Sequence, residues 1–232
     1  MISIIIPAYQ SEDFIEECLN SIKNQTFFIE HSDYEILLGI DACVKTLHKA
    51  AVISHNYENL KIFYFNQNVG PYVIKNTLTD YTKYDNILFF DSDDIMEPFL
   101  VERALTNFTE HDIARFTFAN FTDDVSVKTT GRLADGVFLI KKGKFNDVGG
   151  FLPWRCAADT DFHERIIRNN FKTNIILTDL FLRRIHPNNL TSNPSTGFGS
   201  PIRANYKQQI DDAKKHHILT VNKSTTSNLI VL

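Results

Sequence analysis

The chain has 232 residues, of which 43% are hydrophobic and 22% are charged, which suits one large α/β domain with a sizeable core. The formal net charge of −4 and the pI near 6.0 lack the basic excess of a general nucleic-acid-binding protein, so nucleic acid is not expected as a partner. Three cysteines without a CxxC spacing predict neither a disulfide framework nor a zinc site. No apolar stretch approaches the roughly 18 residues of a transmembrane segment, so a cytoplasmic protein is expected. The sequence carries no signal for the oligomeric state.

The first ninety-odd residues alternate strand-like apolar runs with stretches of helical periodicity. Such alternation predicts an α/β fold with a doubly wound, mostly parallel sheet and right-handed crossovers. The predicted strands are residues 2–6, 34–40, 60–65 and 86–90, and the predicted helices are residues 12–24, 44–55 and 70–78.

The second half reads as mixed α+β. After a helix at residues 98–108, two strands at 114–121 and 125–129 form a predicted hairpin joined by residues 122–124. Residues 187–201 have the Asn, Ser, Thr, Pro and Gly content of a loop. The other predicted strands are residues 137–140, 175–177 and 180–185, the other predicted helices are residues 159–169 and 202–217, and residues 223–232 are a polar linker with a short apolar end.

Three acids, Asp91, Asp93 and Asp94, follow directly on the apolar run at residues 87–90. That position is the carboxyl end of a buried strand, where open α/β sheets bind ligands. Neighbouring carboxylates repel one another unless a cation neutralises them, and an Asp-x-Asp spacing supplies oxygen ligands suited to Mg²⁺ or Mn²⁺. The stretch therefore indicates a divalent cation that carries a phosphate. Asp and Ser also cluster in turns and at helix N-caps, so a loop without metal is the alternative.

Further motifs occur in a fixed order on both sides of these acids. Together they resemble a family-two glycosyltransferase of the GT-A fold, over residues 1–190. The motifs are Ile4-Ile5-Ile6-Pro7-Ala8-Tyr9, Asp41, Asn68-x-Gly70 with Lys75-Asn76, Gly149-Gly150-Phe151, and Ala158-Asp159-Thr160-Asp161-Phe162 with Arg165.

The resemblance implies a Rossmann-like, nucleotide-sugar-binding half at residues 1–110 and a smaller mixed α+β, acceptor-binding and catalytic half at residues 111–217. A C-terminal tail would follow at residues 218–232. It also implies a hexosyltransferase that uses a UDP-sugar donor, Mn²⁺ or Mg²⁺ as cofactor, and a glycan, glycoprotein or glycolipid acceptor.

The same resemblance implies a set of donor-binding residues. Tyr9 would pack on the nucleotide base and Asp41 would accept the uracil imide N–H. Gly70 would permit a close backbone approach, and Lys75 would offer a positive charge to phosphate. Trp154 would serve as a stacking wall for a sugar, with core packing as the alternative. The full set is Pro7, Ala8, Tyr9, Asp41, Asn68, Gly70, Lys75, Asn76, Asp91, Ser92, Trp154 and Arg184.

The implied metal ligands are Asp91, Asp93 and His186. Asp93 is the first choice as direct ligand, because Asp91 could instead contact ribose or metal-bound water. His186 could equally contact the diphosphate, or be merely structural. Because Arg183 and Arg184 alternate across a predicted strand, only Arg184 is expected to face the site together with His186.

The implied catalytic base is Asp159, with Asp161 as the fallback. Residues two apart on a helix do not share a face, so only one of them can act. For either, the alternative is an N-terminal helix acid stabilised by the macrodipole. One base without an evident second carboxylate nucleophile favours inversion at the anomeric carbon.

Two departures from the family pattern keep other functions open. Ile40 stands where the family often has an acid, and Ala158 stands where it has a Glu. A nucleotide-sugar-binding module without catalysis is therefore one alternative. A phosphatase of the haloacid dehalogenase kind is another alternative. It is less favoured, because the Asp-x-Asp of that class follows the first strand, whereas here it follows the fourth predicted strand.

Overall fold

The computed structural model describes residues 1–106, 108–122 and 124–232. Its elements form a central sheet with helices packed on both faces. The strands are β1 Ile2–Ala8, β2 Tyr34–Asp41, β3 Leu60–Phe65, β4 Asn86–Phe89, β5 Ile95–Met96, β6 Ile113–Phe121, β7 Thr129–Lys141, β8 Thr173–Arg184 and β9 Leu229–Val231. The α-helices are α1 Ile15–Lys23, α2 Thr26–Glu30, α3 Val44–Ile53, α4 Pro71–Asp80, α5 Leu100–Leu105, α6 Lys142–Asp147, α7 Ala158–Arg168 and α8 Pro201–Lys215, with 3₁₀ turns at Ser54–Asn56 and Phe108–Glu110.

Within the described ranges the sheet has the strand order β5-β8-β6-β7-β4-β1-β2-β3-β9. Strands β4, β1, β2 and β3 are mutually parallel and adjacent, and they form one half of the sheet. Every residue of β1 is buried, as expected for a parallel strand covered by helices on both faces. The α/β fold with a doubly wound sheet, predicted from the alternating pattern, is thus confirmed. Over the described residues the sheet is mixed rather than mostly parallel, since four strand pairs are parallel and four are antiparallel.

The register of the parallel strands brings polar chain segments together at one edge. Ile5 lies opposite Phe89, the last residue of β4, so β1 continues past the end of β4 in the same direction, to Ala8. Ala8 lies opposite Ile40 and, one strand further on, Asp41 lies opposite Phe65. The loops that carry Tyr9, Asp41 and Asp91 therefore emerge at the same edge of the sheet.

The second half adds β7 antiparallel to both β4 and β6, and β8 parallel to β6. The predicted strand at residues 125–129 is wrong, because residues 125–127 form a turn and bend. The second arm of the hairpin is the long strand β7, which also contains the separately predicted strand at 137–140. The polar residues and glycines between 129 and 136 lack an apolar strand pattern, so a single strand over 129–141 was not predicted. Asn107, in the predicted helix at 98–108, and Asp123, in the predicted hairpin connection, lie outside the described residues.

Several short elements lack a clear sequence pattern. Strand β8 is continuous, although two strands were predicted there. The predicted break arises because a register shift near Asp179 interrupts the apolar pattern of the strand. Strand β5 consists of two residues paired with β8, and helices α2 and α6 are also additional to the prediction.

The C-terminal residues pack back onto the domain. Strand β9 pairs antiparallel with β3, and Leu229 lies opposite Phe65. Upstream of it, the backbone N–H of Val221 donates to the carbonyl of Val148. The short apolar end thus extends the sheet. Among the described helices, none combines the length and the apolar character that crossing a bilayer would require.

Candidate active site

A cleft of about 640 Å³ lies at the edge of the sheet where the parallel strands end. Loops after β1, β3, β4 and β8 line it, together with the end of β2, helix α4, strand β7 and the start of α7 with the segment before it. Among the described residues, four of the expected set do not line the cleft: Asn76, Trp154, Asp161 and Arg184. The expected residues that do line it are Pro7, Ala8, Tyr9, Asp41, Asn68, Gly70, Lys75, Asp91, Ser92, Asp93, Asp159 and His186.

At one end of the cleft Asp41 holds the loop that precedes helix α4. Its Oδ1 accepts a hydrogen bond from the backbone N–H of Val69 at 2.7 Å, and its Oδ2 accepts one from Gly70 at 2.9 Å. Burial raises the pKa of Asp41, and these two hydrogen bonds oppose the rise. Gly70 has φ +85°, a conformation that glycine adopts without strain. Tyr9 is 52% exposed at this end, so its ring is open to a ligand.

The acidic loop after β4 divides its side chains between the cleft and the core. Asp94 is only 4% exposed and accepts the backbone N–H of Arg184 on Oδ1 at 3.0 Å. Burial, followed by the charges of Asp93 and Asp91, raises the pKa of Asp94 well above its usual range. The Ser92 hydroxyl is hydrogen-bonded to that of Ser11 at 2.8 Å. Ser92 and Asp94 therefore hold the loop, and Asp91 and Asp93 present their carboxylates.

Asp91 is already paired with a cation of the protein. The Lys75 ammonium donates to Asp91 Oδ1 and to the carbonyl of Gly136, both at 3.0 Å. The Lys75 side chain is only 3% exposed, whereas that of Asp91 is 40% exposed, so the carboxylate is the member of the pair that is open to the cleft. Burial raises the pKa of Asp91, and the charge of Lys75 opposes the rise.

Asp93 has a different environment, formed by the loop after β8. Its Oδ2 accepts hydrogen bonds from His186 Nε2 and from Asn189 Nδ2, each at 2.9 Å. The imidazole of His186 lies on the ring of Phe14, with 4.8 Å between the centroids. Packing and hydrogen bonding thus fix the orientation of the Asp93–His186 pair.

The three expected metal ligands are not gathered into one cluster. Throughout residues 1–106, 108–122 and 124–232, no group of three or more His, Cys, Asp or Glu side chains has the arrangement of a metal site. The donor set that is assembled consists of Asp93 and His186, a carboxylate and an imidazole. Mg²⁺ and Mn²⁺ accept such a small set, because water and substrate phosphates complete their coordination.

Arg183, and not Arg184, lines the cleft, contrary to the expected orientation. The Arg184 guanidinium instead donates to the carbonyl of Asp93 at 3.0 Å and pairs with Glu17. The strand ends at Arg184, so the alternation of β8 does not extend to His186, which lies in the following loop.

Asp159 lies in the first turn of helix α7 and faces the cleft. Its Oδ1 accepts the backbone N–H of Thr160 at 2.9 Å. A Cβ built on Gly136 would lie 3.5 Å from Asp159 Oδ2 and 3.4 Å from Asp91 Oδ2, so both carboxylates point towards the same part of β7. Burial, followed by the charge of Asp159, raises the pKa of Tyr72 well above its usual range.

Asp161 points into the core, where its side chain is 3% exposed. Its Oδ2 accepts Arg165 Nε at 2.9 Å. The same guanidinium donates to the carbonyls of Val148 and Gly150, at 2.6 and 2.7 Å. Asp161 therefore orients Arg165, which ties helix α7 to the double-glycine turn. Of the two expected acids, Asp159 is the one that lines the cleft.

Asn76 and Trp154 also differ from expectation. Asn76 is fully buried and exchanges two hydrogen bonds with the backbone of Phe151, at 2.8 and 2.9 Å. It also donates to the carbonyl of Ser224 at 3.0 Å. Trp154 stacks on Tyr206 of α8, with 4.3 Å between the ring centroids and 5° between the planes. The first residue joins distant backbone segments, and the second holds α8 near the cleft.

Cleft residues outside the expected set include Tyr72, Gly136, Arg155, Arg183 and Asn189. Tyr72 lies three residues before Lys75 on α4, a helical spacing that could have indicated a shared face. Asn189 lies in a loop already noted for its polar composition. Arg183 was considered and placed elsewhere, and no local pattern distinguishes Gly136 or Arg155.

The chain matches the family model "Glycosyl transferase family 2" over residues 3–177. Glycosyltransferase AglE of Haloferax volcanii is 34% identical over 77 residues, 33% of this chain and 25% of that protein. The poly(ribitol-phosphate) beta-glucosyltransferase of Bacillus spizizenii is 40% identical over 70 residues, 30% of this chain and 11% of that protein. The matches thus span a quarter or less of these relatives.

Solved structures share the fold at low sequence identity. S. aureus TarS 1–349 in complex with UDP-GlcNAc has a TM-score of 0.67 at 20% identity, covering 80% of this chain and 58% of that one. The mannosyltransferase PcManGT from Pyrobaculum calidifontis, in complex with GDP-Man and Mn²⁺, has a TM-score of 0.72 at 12% identity, covering 93% and 64%. These likenesses agree with the GT-A fold implied by the motifs. Because the family model spans most of the sequence, the chain belongs to glycosyl transferase family 2.

Proposed function

We propose that the protein is a hexosyltransferase that moves a sugar from a UDP-sugar to a hydroxyl of a glycan, glycoprotein or glycolipid acceptor, with a divalent cation and with inversion. One observation carries the proposal: Asp41, Asp93 and Asp159, which are far apart in the chain, line a single cleft. Two comparisons support it, since the TarS complex contains UDP-GlcNAc and the Bacillus relative is named a glucosyltransferase.

The uracil and ribose would occupy the end of the cleft formed by Pro7, Ala8, Tyr9 and Asp41. Each carboxylate oxygen of Asp41 accepts one backbone N–H, which leaves a lone pair for the uracil imide. The exposed ring of Tyr9 would pack on the base. Asn68, whose side chain is held by Arg155, would border the ribose.

The diphosphate would lie beside the acidic loop. Asp93 and His186 would hold Mn²⁺ or Mg²⁺ there, and neutralisation of the departing diphosphate is the chemistry that such a cation supplies. Mn²⁺ accompanies the sugar nucleotide in the PcManGT complex. The paired Lys75–Asp91 would face the donor sugar, where Asp91 could accept a sugar hydroxyl.

Asp159 would remove the proton from the acceptor hydroxyl as that oxygen attacks the anomeric carbon and UDP departs. The nearby Asp91 is held by Lys75, so it is a poor nucleophile for a covalent intermediate. A single base then favours direct displacement, which inverts the anomeric configuration.

The central experiment compares Asp159→Asn with the matched control Asp179→Asn, an exposed acid outside the cleft. Transfer from UDP-sugars, followed as UDP release that depends on acceptor, should fall about 10²- to 10⁴-fold in Asp159→Asn. The UDP affinity of Asp159→Asn should equal that of the wild type, and Asp179→Asn should retain wild-type transfer. Full activity of Asp159→Asn would refute the assignment of the base.

Cation dependence is tested by thermal shift with UDP, in the presence and absence of MnCl₂. Since a ligand that binds only the folded state raises its melting temperature, Asp93→Ala should lose the increase that depends on Mn²⁺. An equal increase in Asp93→Ala would contradict this ligand assignment. Proton NMR of the new linkage tests inversion, and a retained anomer would exclude single displacement.

A further inference from the structure

Gly136 lines the cleft, yet its backbone conformation does not require a glycine. It lies in the extended strand β7, and its φ is not among the positive values of the chain. Gly131 in the same strand differs, because a Cβ there would lie 1.7 Å from the carbonyl oxygen of Phe118. Close packing explains Gly131, whereas Gly136 needs another explanation.

Two carboxylate oxygens are all that a Cβ on Gly136 would meet within 4 Å among the described atoms. They belong to Asp91 and Asp159, at 3.4 and 3.5 Å. Both distances allow an alanine without a steric clash. A methyl group there would nevertheless fill the space between the two acids and hinder their solvation.

The open space above Gly136 is held in place by its neighbours. Phe89 lies opposite Phe138, so continuing this antiparallel register by two residues sets Asp91 opposite Gly136. The buried Lys75 ammonium then bridges Asp91 Oδ1 and the Gly136 carbonyl. The distance between the strand and the acid is therefore fixed before any ligand binds.

We propose that the backbone of Gly136 forms the floor of the subsite for the transferred sugar, and that the missing side chain sets the size of the sugar that is accepted. This inference rests on the proposed glycosyl transfer. The anomeric carbon must lie within reach of an acceptor oxygen activated by Asp159, and the diphosphate lies on the side of Asp91 and Asp93. A pyranose ring between these groups covers Gly136, and a hydroxyl of the ring donates to Asp91.

The first test compares Gly136→Ala with Gly143→Ala, an exposed position where a Cβ meets nothing within 4 Å. Calorimetry gives the affinities for UDP, UDP-glucose, UDP-galactose, UDP-N-acetylglucosamine and UDP-xylose. Acceptor-dependent UDP release gives kcat/KM. One methyl group in a sugar pocket is expected to lower this value for the preferred hexose roughly 10- to 200-fold. UDP affinity should stay within about twofold, and UDP-xylose, which lacks the hydroxymethyl group, should lose less.

A second measurement uses the unsubstituted protein and does not depend on the folding of a variant. Asp135-Gly136 is the single Asp–Gly pair of the sequence, so ¹³C-carbonyl aspartate with ¹⁵N-glycine isolates the Gly136 amide resonance. That resonance should move with UDP-sugar and stay in place with UDP alone.

The outcomes distinguish a failure of the Gly136 inference from a failure of the proposed function. If the wild type binds UDP-sugars and Gly136→Ala matches it with all of them, or if UDP alone moves the resonance equally, the sugar does not lie on Gly136. A loss of UDP affinity in Gly136→Ala equal to the loss of UDP-sugar affinity also overturns the inference. A wild-type protein that binds none of the nucleotides contradicts the proposed function itself.

Discussion

Asp161→Asn separates the scaffold role of helix α7 from its catalytic role. The carboxylate is 3% exposed, and its partner Arg165 is fully buried. Removing one partner of a buried pair costs about 3–5 kcal/mol, because the other charge is left uncompensated. Asn retains one oxygen acceptor, and two backbone carbonyls still accept from Arg165, so we expect the lower end, about 3 kcal/mol. For a chain of this size, that corresponds to a melting temperature lower by about 6–12 °C.

The assay is urea and thermal unfolding at pH 7, run beside Asp159→Asn and Asp179→Asn. The two controls remove acids that are not in a buried ion pair, so their unfolding free energies should change by no more than about 0.5 kcal/mol. Asp161→Asn should also retain measurable transfer at a temperature where the variant is folded. An unchanged melting temperature combined with lost transfer would refute the reasoning, since Asp161 would then act in the cleft.

Two further predictions concern buried polar groups. His163 donates from Nε2 to the carbonyl of Asp135, and burial lowers the pKa of His163 from 6.5 to about 3. The unfolded chain therefore binds a proton that the folded one excludes, and stability should fall by up to about 1.4 kcal/mol per unit as the pH drops from 6.5 towards 3. Urea unfolding at pH 7, 5.5 and 4.5 should show a shallower decline for His163→Gln, and an equal decline would contradict the argument. Asn76→Ala should cost about 2–4 kcal/mol in thermal unfolding, because backbone groups of Phe151 and Ser224 lose their partner; an unchanged melting temperature would contradict this.

The central sheet could be predicted because its strands are buried on both faces. A strand such as Ile2–Ala8 then becomes a continuous apolar run, and the polar residues that follow it mark the edge where ligands bind. Asp93 was found in this way, whereas Tyr9 and Asp41, which also follow or end a strand and line the cleft, were implied by the family resemblance. The information needed was local.

The features of the site that were not predicted depend on contacts between distant segments. Asn76 is hydrogen-bonded to Phe151, and nothing near Asn76 in the sequence indicates that partner. Gly136 has its significance only because Asp91 and Asp159 converge on it from two other elements. The orientation of Arg184 depends on where β8 ends, which alternation along the strand does not specify. Such features become visible only when the elements are packed together.

The site uses its acids in the same way twice. Asp93 faces the cleft, while its neighbour Asp94 is buried and accepts a backbone N–H from β8. Asp159 faces the cleft, while Asp161 is buried against Arg165. In each pair the buried acid holds the segment that aims the other one. Substituting any of the four should therefore lower transfer, and only a parallel measurement of unfolding distinguishes the acids that act on substrate from those that position them.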